Sequence, residues 1–207
     1  MDIDIFYLDK CWEIDDLESI RVVESGPLRV SLELVRRWRH SCITQRIHAY
    51  QHTTRIDFDT EVDWHEHHIL LKAAFPAAIH STSATYEIQF GALERPTHWN
   101  TSWDYARFEV CGHRWADLSE GDYGVSLLND CKYGHDIKDN VLRLTLIKSA
   151  TSPTQRRTRG YIALPMRSFC TRVTGAAKRS HRLPCSTTRP LPSLRAVMAL
   201  LPTCRQP

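Results

Sequence analysis

Hydrophobic and polar positions alternate along the first part of the chain with the period of a strand that has one face in a core and one in water. Leu28, Val30, Leu32 and Leu34 fall on one side, and Arg29, Ser31 and Glu33 on the other. The same period runs through Ile56, Phe58, Thr60, Val62 and Trp64 against Arg55, Asp57, Asp59, Glu61 and Asp63, and through Leu142, Leu144 and Leu146 against Arg143 and Thr145. Shorter strands are predicted at Ile3 to Tyr7, Ile43 to Tyr50, Leu70 to Phe75, Thr85 to Phe90, Arg107 to Val110 and Gly124 to Leu128. Many short strands between polar turns, with no amphipathic helix among them, predict an all-β chain folded as an antiparallel β-sandwich.

The pattern stops at about Thr151. Residues 151–207 are a basic Arg/Ser/Pro-rich tail without an acidic residue, and they predict a disordered extension of an incomplete sandwich. The net charge of +3 conceals this division: residues 1–139 hold 14 Lys and Arg against 24 Asp and Glu, and residues 140–207 hold the remaining 13 basic residues. A basic tail suits phosphate, but no aromatic stacking pattern accompanies it, so nucleic acid is not an expected partner. No apolar run approaches eighteen residues, and Met1 to Ile5 is acidic where a signal peptide carries basic residues, so no membrane is expected either. The seven cysteines are scattered, odd in number and without a C-x-x-C pair, which reads as free thiols in a reducing, cytoplasmic compartment. In that compartment the sequon Asn100-Thr101-Ser102 stays unmodified.

Candidate chemistry is sparse. His65-Glu66-His67-His68 contains imidazoles enough for a metal site, but the spacing differs from the helical H-E-x-x-H motif and also suits a solvated strand end. Asp57, Asp59, Glu61 and Asp63 offer carboxylate pairs of the kind a retaining glycosidase uses, or simply a polar sheet face. Phosphate-binding glycine loops and the G-x-S-x-G elbow are absent. The stretch from Leu127 to Asp136 collects amide, carboxylate, ammonium, phenol and imidazole groups in one loop after a strand, which suits either a sugar or a plain polar turn. The tryptophans within Arg95 to Asp104 could stack on sugar rings or fill the core.

Several blocks, taken in order, carry a resemblance. They include Val22-Val23-Glu24-Ser25-Gly26-Pro27-Leu28-Arg29, Thr60-Glu61-Val62-Asp63-Trp64-His65-Glu66 and Leu71-Lys72-Ala73-Ala74-Phe75-Pro76. Further on come Glu94-Arg95-Pro96-Thr97-His98, Asn100-Thr101-Ser102-Trp103-Asp104, His113-Arg114-Trp115-Ala116-Asp117-Leu118-Ser119-Glu120 and Leu127-Leu128-Asn129-Asp130-Cys131-Lys132-Tyr133-Gly134-His135-Asp136. From Asp2 to about Ser152 the chain resembles the C-terminal β-sandwich region of glycoside hydrolase family 38 α-mannosidases of the cytosolic and bacterial type, where it would form part of a mutarotase-like supersandwich.

The resemblance implies a parent enzyme that hydrolyses terminal α-mannosides with retention. Its zinc, nucleophilic aspartate and acid/base aspartate belong to a catalytic domain ahead of this region. No catalytic residue and no metal ligand is therefore assigned within residues 1–207, and the fragment is expected to be inactive alone. Its expected partners are that catalytic domain and, through the whole enzyme, mannose-containing glycans. Self-association through surfaces that face the rest of the enzyme is also expected. The substrate-binding candidates are Asn129, Asp130, Lys132, Tyr133 and His135. Two other roles suit the same sequence: a non-catalytic carbohydrate-binding module, and the partner chain of a split mannosidase. After Ser152 the family's closing strand is missing. Codons can be chosen for Arg172-Val173-Thr174-Gly175-Ala176 that encode the family's Gly-Asp-Trp-Arg in a shifted frame, so the tail is read as out-of-frame translation.

Overall fold

The computed structural model describes residue 7 and residues 9–121, 123–149, 160–171 and 195–200, with the backbone alone considered for 164–171 and 195–200. Two antiparallel sheets lie face to face. One has nine strands in the order β2 (Leu17–Ser25), β3 (Arg29–Trp38), β4 (Ser41–Tyr50), β5 (Thr53–Trp64), β14 (Gly160–Thr171), β11 (Tyr123–Asn129), β10 (Trp115–Glu120), β7 (Ser83–Ile88) and β8 (Gly91–Pro96). The other has six, in the order β1 (Cys11–Glu13), β15 (Arg195–Leu200), β6 (Ile69–Pro76), β13 (Val141–Lys148), β12 (Gly134–Lys138) and β9 (Val110–Cys111). Among the described residues the one helical piece is α1 (Ser102–Tyr105), and no helix is long and apolar enough to cross a membrane.

The alternating positions do what their period predicts. Phe58, Val62 and Trp64 of β5, Leu142, Leu144 and Leu146 of β13, and Val125 and Leu127 of β11 meet Leu71, Ala73 and Phe75 of β6 in one core. Strand β6 is apolar almost throughout because both its faces are covered, and nearly every residue in it is buried. Its cation, Lys72, projects from the face opposite Leu71 and Ala73 into a buried ionic cluster. Its Nζ lies 2.9 Å from Glu109 Oε2 and 3.6 Å from Asp136 Oδ2, Arg143 Nη1 is 3.3 Å from that same oxygen, and the Tyr7 hydroxyl donates to it at 2.6 Å. Removing these charges from water is costly, and the cluster is tolerable only because two cations face two carboxylates.

The expected sandwich is present, with some differences in detail. The predicted strand from Ile3 lies outside the described residues except for Tyr7. The segment Arg107 to Val110 contributes only its end to β9. Strands β2, β8, β10 and β12 arise where their composition looks polar or turn-like. The largest difference is in the basic tail: 160–171 and 195–200 are strands, each hydrogen-bonded on both sides. Strand β14 fills the gap between β5 and β11, and β15 the gap between β1 and β6. These four strands would otherwise present unpaired N–H and C=O groups, which is the physical reason a weakly patterned segment is drawn into the sheets. The rest of 151–207, including Arg172 to Ala176, lies outside the described residues.

Candidate functional site

The segment predicted as one loop is a short turn followed by a strand. Strand β11 ends at Asn129, whose backbone N–H donates to the Arg114 carbonyl at 2.8 Å. The Asn129 side chain then closes the turn from inside: its Nδ2 donates to the His113 carbonyl at 3.2 Å, and its Oδ1 accepts from the Lys132 N–H at 2.7 Å. This is the local chemistry that makes asparagine a turn residue. The far side is tied by the Gly112 N–H, which donates to the Tyr133 carbonyl at 3.0 Å, while the His113 ring packs edge-on against Tyr133.

A turn anchored this way presents Asp130, Cys131 and Tyr133 to solvent, Tyr133 with 57% of its surface accessible, and Lys132 half-buried beside them. Burial, and next the Asp130 carboxylate, push the Cys131 thiol pKa up, so the thiol stays protonated. The turn thus offers an exposed carboxylate and phenol, with a half-buried ammonium between them in sequence, on a base held by Asn129.

His135 is elsewhere. It lies in β12, fully buried against the edge of Tyr86, with neither ring nitrogen hydrogen-bonded. Burial, and then the charges of Lys72 and Arg95, push its pKa down to about 4, so its ring is neutral near pH 7. Asp136 points to the opposite side of the same strand, into the ionic cluster with Lys72. Of the five candidates, the structure brings Asp130, Lys132 and Tyr133 together at the surface, puts Asn129 beneath them, and separates His135 from them.

The other sequence candidates are occupied locally. Strand β5 ends at Trp64, so His65 to His68 form the following turn; His65 Nε2 is 2.9 Å from Asp63 Oδ1. Among the described residues no three His, Cys, Asp or Glu side chains converge as a metal ion requires. The β5 acids are engaged by their neighbours: Asp57 accepts from Tyr50 and Arg55, Asp59 faces His48, and Glu61 lies 3.9 Å from Arg46. The tryptophans divide. Trp99 packs edge-on against Tyr105 with the Lys138 ammonium 4.0 Å over its ring, whereas Trp103 is 77% exposed. The α1 turn that carries Trp103 is fixed by Thr101, whose Oγ1 accepts from the Asp104 N–H.

Sequence reasoning missed the ionic cluster altogether. Its signal is Lys72 inside an otherwise apolar strand, a charge that must find partners once buried.

Comparison with known proteins places this geometry in a family. Residues 2–156 match the family model described as "Glycosyl hydrolases family 38 C-terminal domain". Alpha-mannosidase G of Dictyostelium discoideum is 46% identical over 158 residues, which are 73% of this chain and 14% of that protein. Human alpha-mannosidase 2C1 is 54% identical over 115 residues, 53% of this chain and 11% of that one. A crystal structure of an alpha-mannosidase from Enterococcus faecalis superposes with a TM-score of 0.68 at 12% identity, covering 74% of this chain and 22% of that chain; the likeness is one of fold. The chain therefore spans about a seventh of the Dictyostelium relative's length. With residues 2–156 matched by that family model and the fold an antiparallel β-sandwich, the chain belongs to glycosyl hydrolase family 38, as a C-terminal β-sandwich region.

Proposed function

We propose that this chain is the supporting sandwich of an α-mannosidase that hydrolyses terminal α-mannosides in mannose and glycan metabolism, and that its 129–136 segment forms one wall of the substrate cleft. The observation that carries the second half is the anchored turn, which holds Asp130, Lys132 and Tyr133 outward on a base locked by Asn129. A sugar hydroxyl can donate to the carboxylate and accept from the ammonium, and the phenol ring can lie against the apolar face of a pyranose.

The retaining reaction needs two free carboxyl groups about 5 Å apart across the scissile bond. The acids of β5 and of the buried ionic cluster are instead engaged by cations or hydroxyl donors, which supports catalytic groups supplied by polypeptide outside residues 1–207. The zinc implied by the family has no fitting donor set among the described residues, and no step through it is assigned to them. Among the described residues Cys42, Cys111 and Cys131 are thiols rather than disulfides, which supports a cytoplasmic setting.

The test is a full-length α-mannosidase carrying residues 2–156 of this chain in place of its own matching stretch. Lys132→Ala and Tyr133→Ala should each raise KM for a mannoside about tenfold with a smaller change in kcat, the mark of lost ground-state contacts. Unchanged kinetics would remove the turn from the cleft. Exposed Trp103 favours a second reading, a carbohydrate-binding module; measurable affinity of the isolated chain for free mannosides, abolished by Trp103→Ala, would select it.

A further inference from the structure

The nine-stranded sheet is wider than its partner, and its inner face does not stop being apolar where cover ends. The strand register defines one row of side chains across that face: Phe58 of β5, Ile47 of β4, Leu32 of β3 and Val22 of β2. Along this row exposure rises from 5% at Phe58, through half-buried Ile47 and Leu32, to 61% at Val22. The neighbouring positions repeat the trend: Leu34 is buried, while its partner Ile20 on β2 is 57% exposed, and Val30 and Leu28 on the same face are 43% and 64% exposed.

The opposite face of these strands is different. There Glu33 holds Arg21 and Arg46, Glu24 accepts from Arg29 and Ser31, and Arg37 pairs with Glu18. One face is thus ionic and finished for water, and the other is a continuous apolar surface that has run out of cover. Isolated exposed apolar residues are ordinary, but a contiguous patch continuing a core face marks a contact surface.

We infer that the uncovered inner face of β2 and β3, centred on Ile20, Val22, Leu28 and Val30, is the docking surface for a polypeptide segment of the α-mannosidase that lies outside this region. The inference rests on the reading of the chain as part of such an enzyme. Two observations select that occupant. The matched stretch is only 14% of the Dictyostelium relative, so most of such an enzyme's length lies elsewhere. The geometry also calls for an element placed beyond the six-stranded sheet: among the described residues its last strand, β1, reaches the C-terminal end of β3, where Trp12 packs 6.1 Å from Trp38, while Leu28 and Val30 lie at the other end of β3. An apolar strand or helix laid there would continue the second layer over β2 and β3.

The experiment co-expresses the full 207-residue chain with a tagged Dictyostelium alpha-mannosidase G from which the matching 158 residues have been deleted. Capture is compared for the unaltered chain, an Ile20→Lys/Val22→Lys variant and a Leu93→Lys variant, the last on the opposite edge strand. Because all three positions are exposed, each variant should keep the melting temperature of the unaltered chain, and a second pair, Leu28→Lys/Val30→Lys, repeats the test should the first not fold. The expected result is capture of the unaltered and Leu93→Lys chains and a loss of about tenfold or more for both β2–β3 variants. Equal capture of all variants would overturn the assignment of the surface while leaving the enzyme reading intact. Absence of capture by any chain would overturn both. A concentration-dependent dimer that forms only with the apolar face intact, without capture of the truncated enzyme, would assign the face to a second copy and overturn the occupant.

Discussion

At the scale of residues, His135 joins stability to pH most directly. Its folded pKa of about 4 lies below the ordinary imidazole value of 6.5, because burial disfavours the charged ring and Lys72 and Arg95 repel it. The unfolded chain therefore binds a proton that the folded chain refuses. Stability from this group is complete above pH 6.5, falls as the pH drops toward 4, and has no further slope below that. The difference corresponds to about 3 kcal/mol. Urea unfolding between pH 7 and pH 4 should show this slope in the unaltered chain, and His135→Leu should flatten it. Equal slopes in the two proteins would mean that the ring is not held neutral. The replacement should cost little at pH 7, since neither ring nitrogen makes a hydrogen bond that leucine would forfeit.

This residue also shows how far sequence carries. Asn129, Asp130, Lys132, Tyr133 and His135 are adjacent in sequence and look like one polar loop. The start of β12 at Gly134 turns the next side chain inward, which a one-residue difference in where a strand begins decides. No composition rule reveals that register, because the segment contains no apolar alternation until Ile137.

At the scale of elements, strands with a strong period of two are legible: β3, β5 and β13 lie where the alternation of leucine, valine and phenylalanine puts them. Strand β12 is held less by its own pattern than by a close contact. A Cβ built on Gly134 would collide with the Glu109 carboxylate and lie 3.2 Å from Thr145 Cβ. Glu109 cannot simply withdraw, because its other oxygen is 2.9 Å from the buried Lys72 ammonium. Gly134→Ala should therefore separate β12 from the 107–111 segment, pull at that ion pair, and cost about 2–3 kcal/mol. Gly91→Ala, where nothing lies within 4 Å of the added atom, is the matched control and should be nearly neutral in urea titrations. Equal, small effects would show that the 107–111 segment yields easily and that the cluster is not rigid.

At the scale of the whole molecule, the sandwich was readable from the number and spacing of strands, but the partners of its central strands were not. Gly160 to Thr171 begins with an apolar Tyr-Ile-Ala-Leu run and then carries Pro165, which has no N–H to give and argues against a central strand. It is nevertheless paired with β5 from Gly160 to Ser168 and with β11 from Met166 to Thr171. Topology explains this better than propensity: without β14 the nine-stranded sheet is two four-stranded halves with raw edges, and without β15 the edge strand β1 loses its neighbour. A basic tail that no strand pattern recommends can still fill a slot that the rest of the fold leaves open, whatever reading frame produced it. Ending the chain at residue 156, where the family match ends, should then abolish the near-ultraviolet circular dichroism signal of packed Trp38 and Trp64 and produce aggregates in sedimentation. A truncated chain that stays monomeric with an unchanged melting temperature would mean that β5 and β11 close the sheet without help, and that residues 157–207 contribute nothing to the fold.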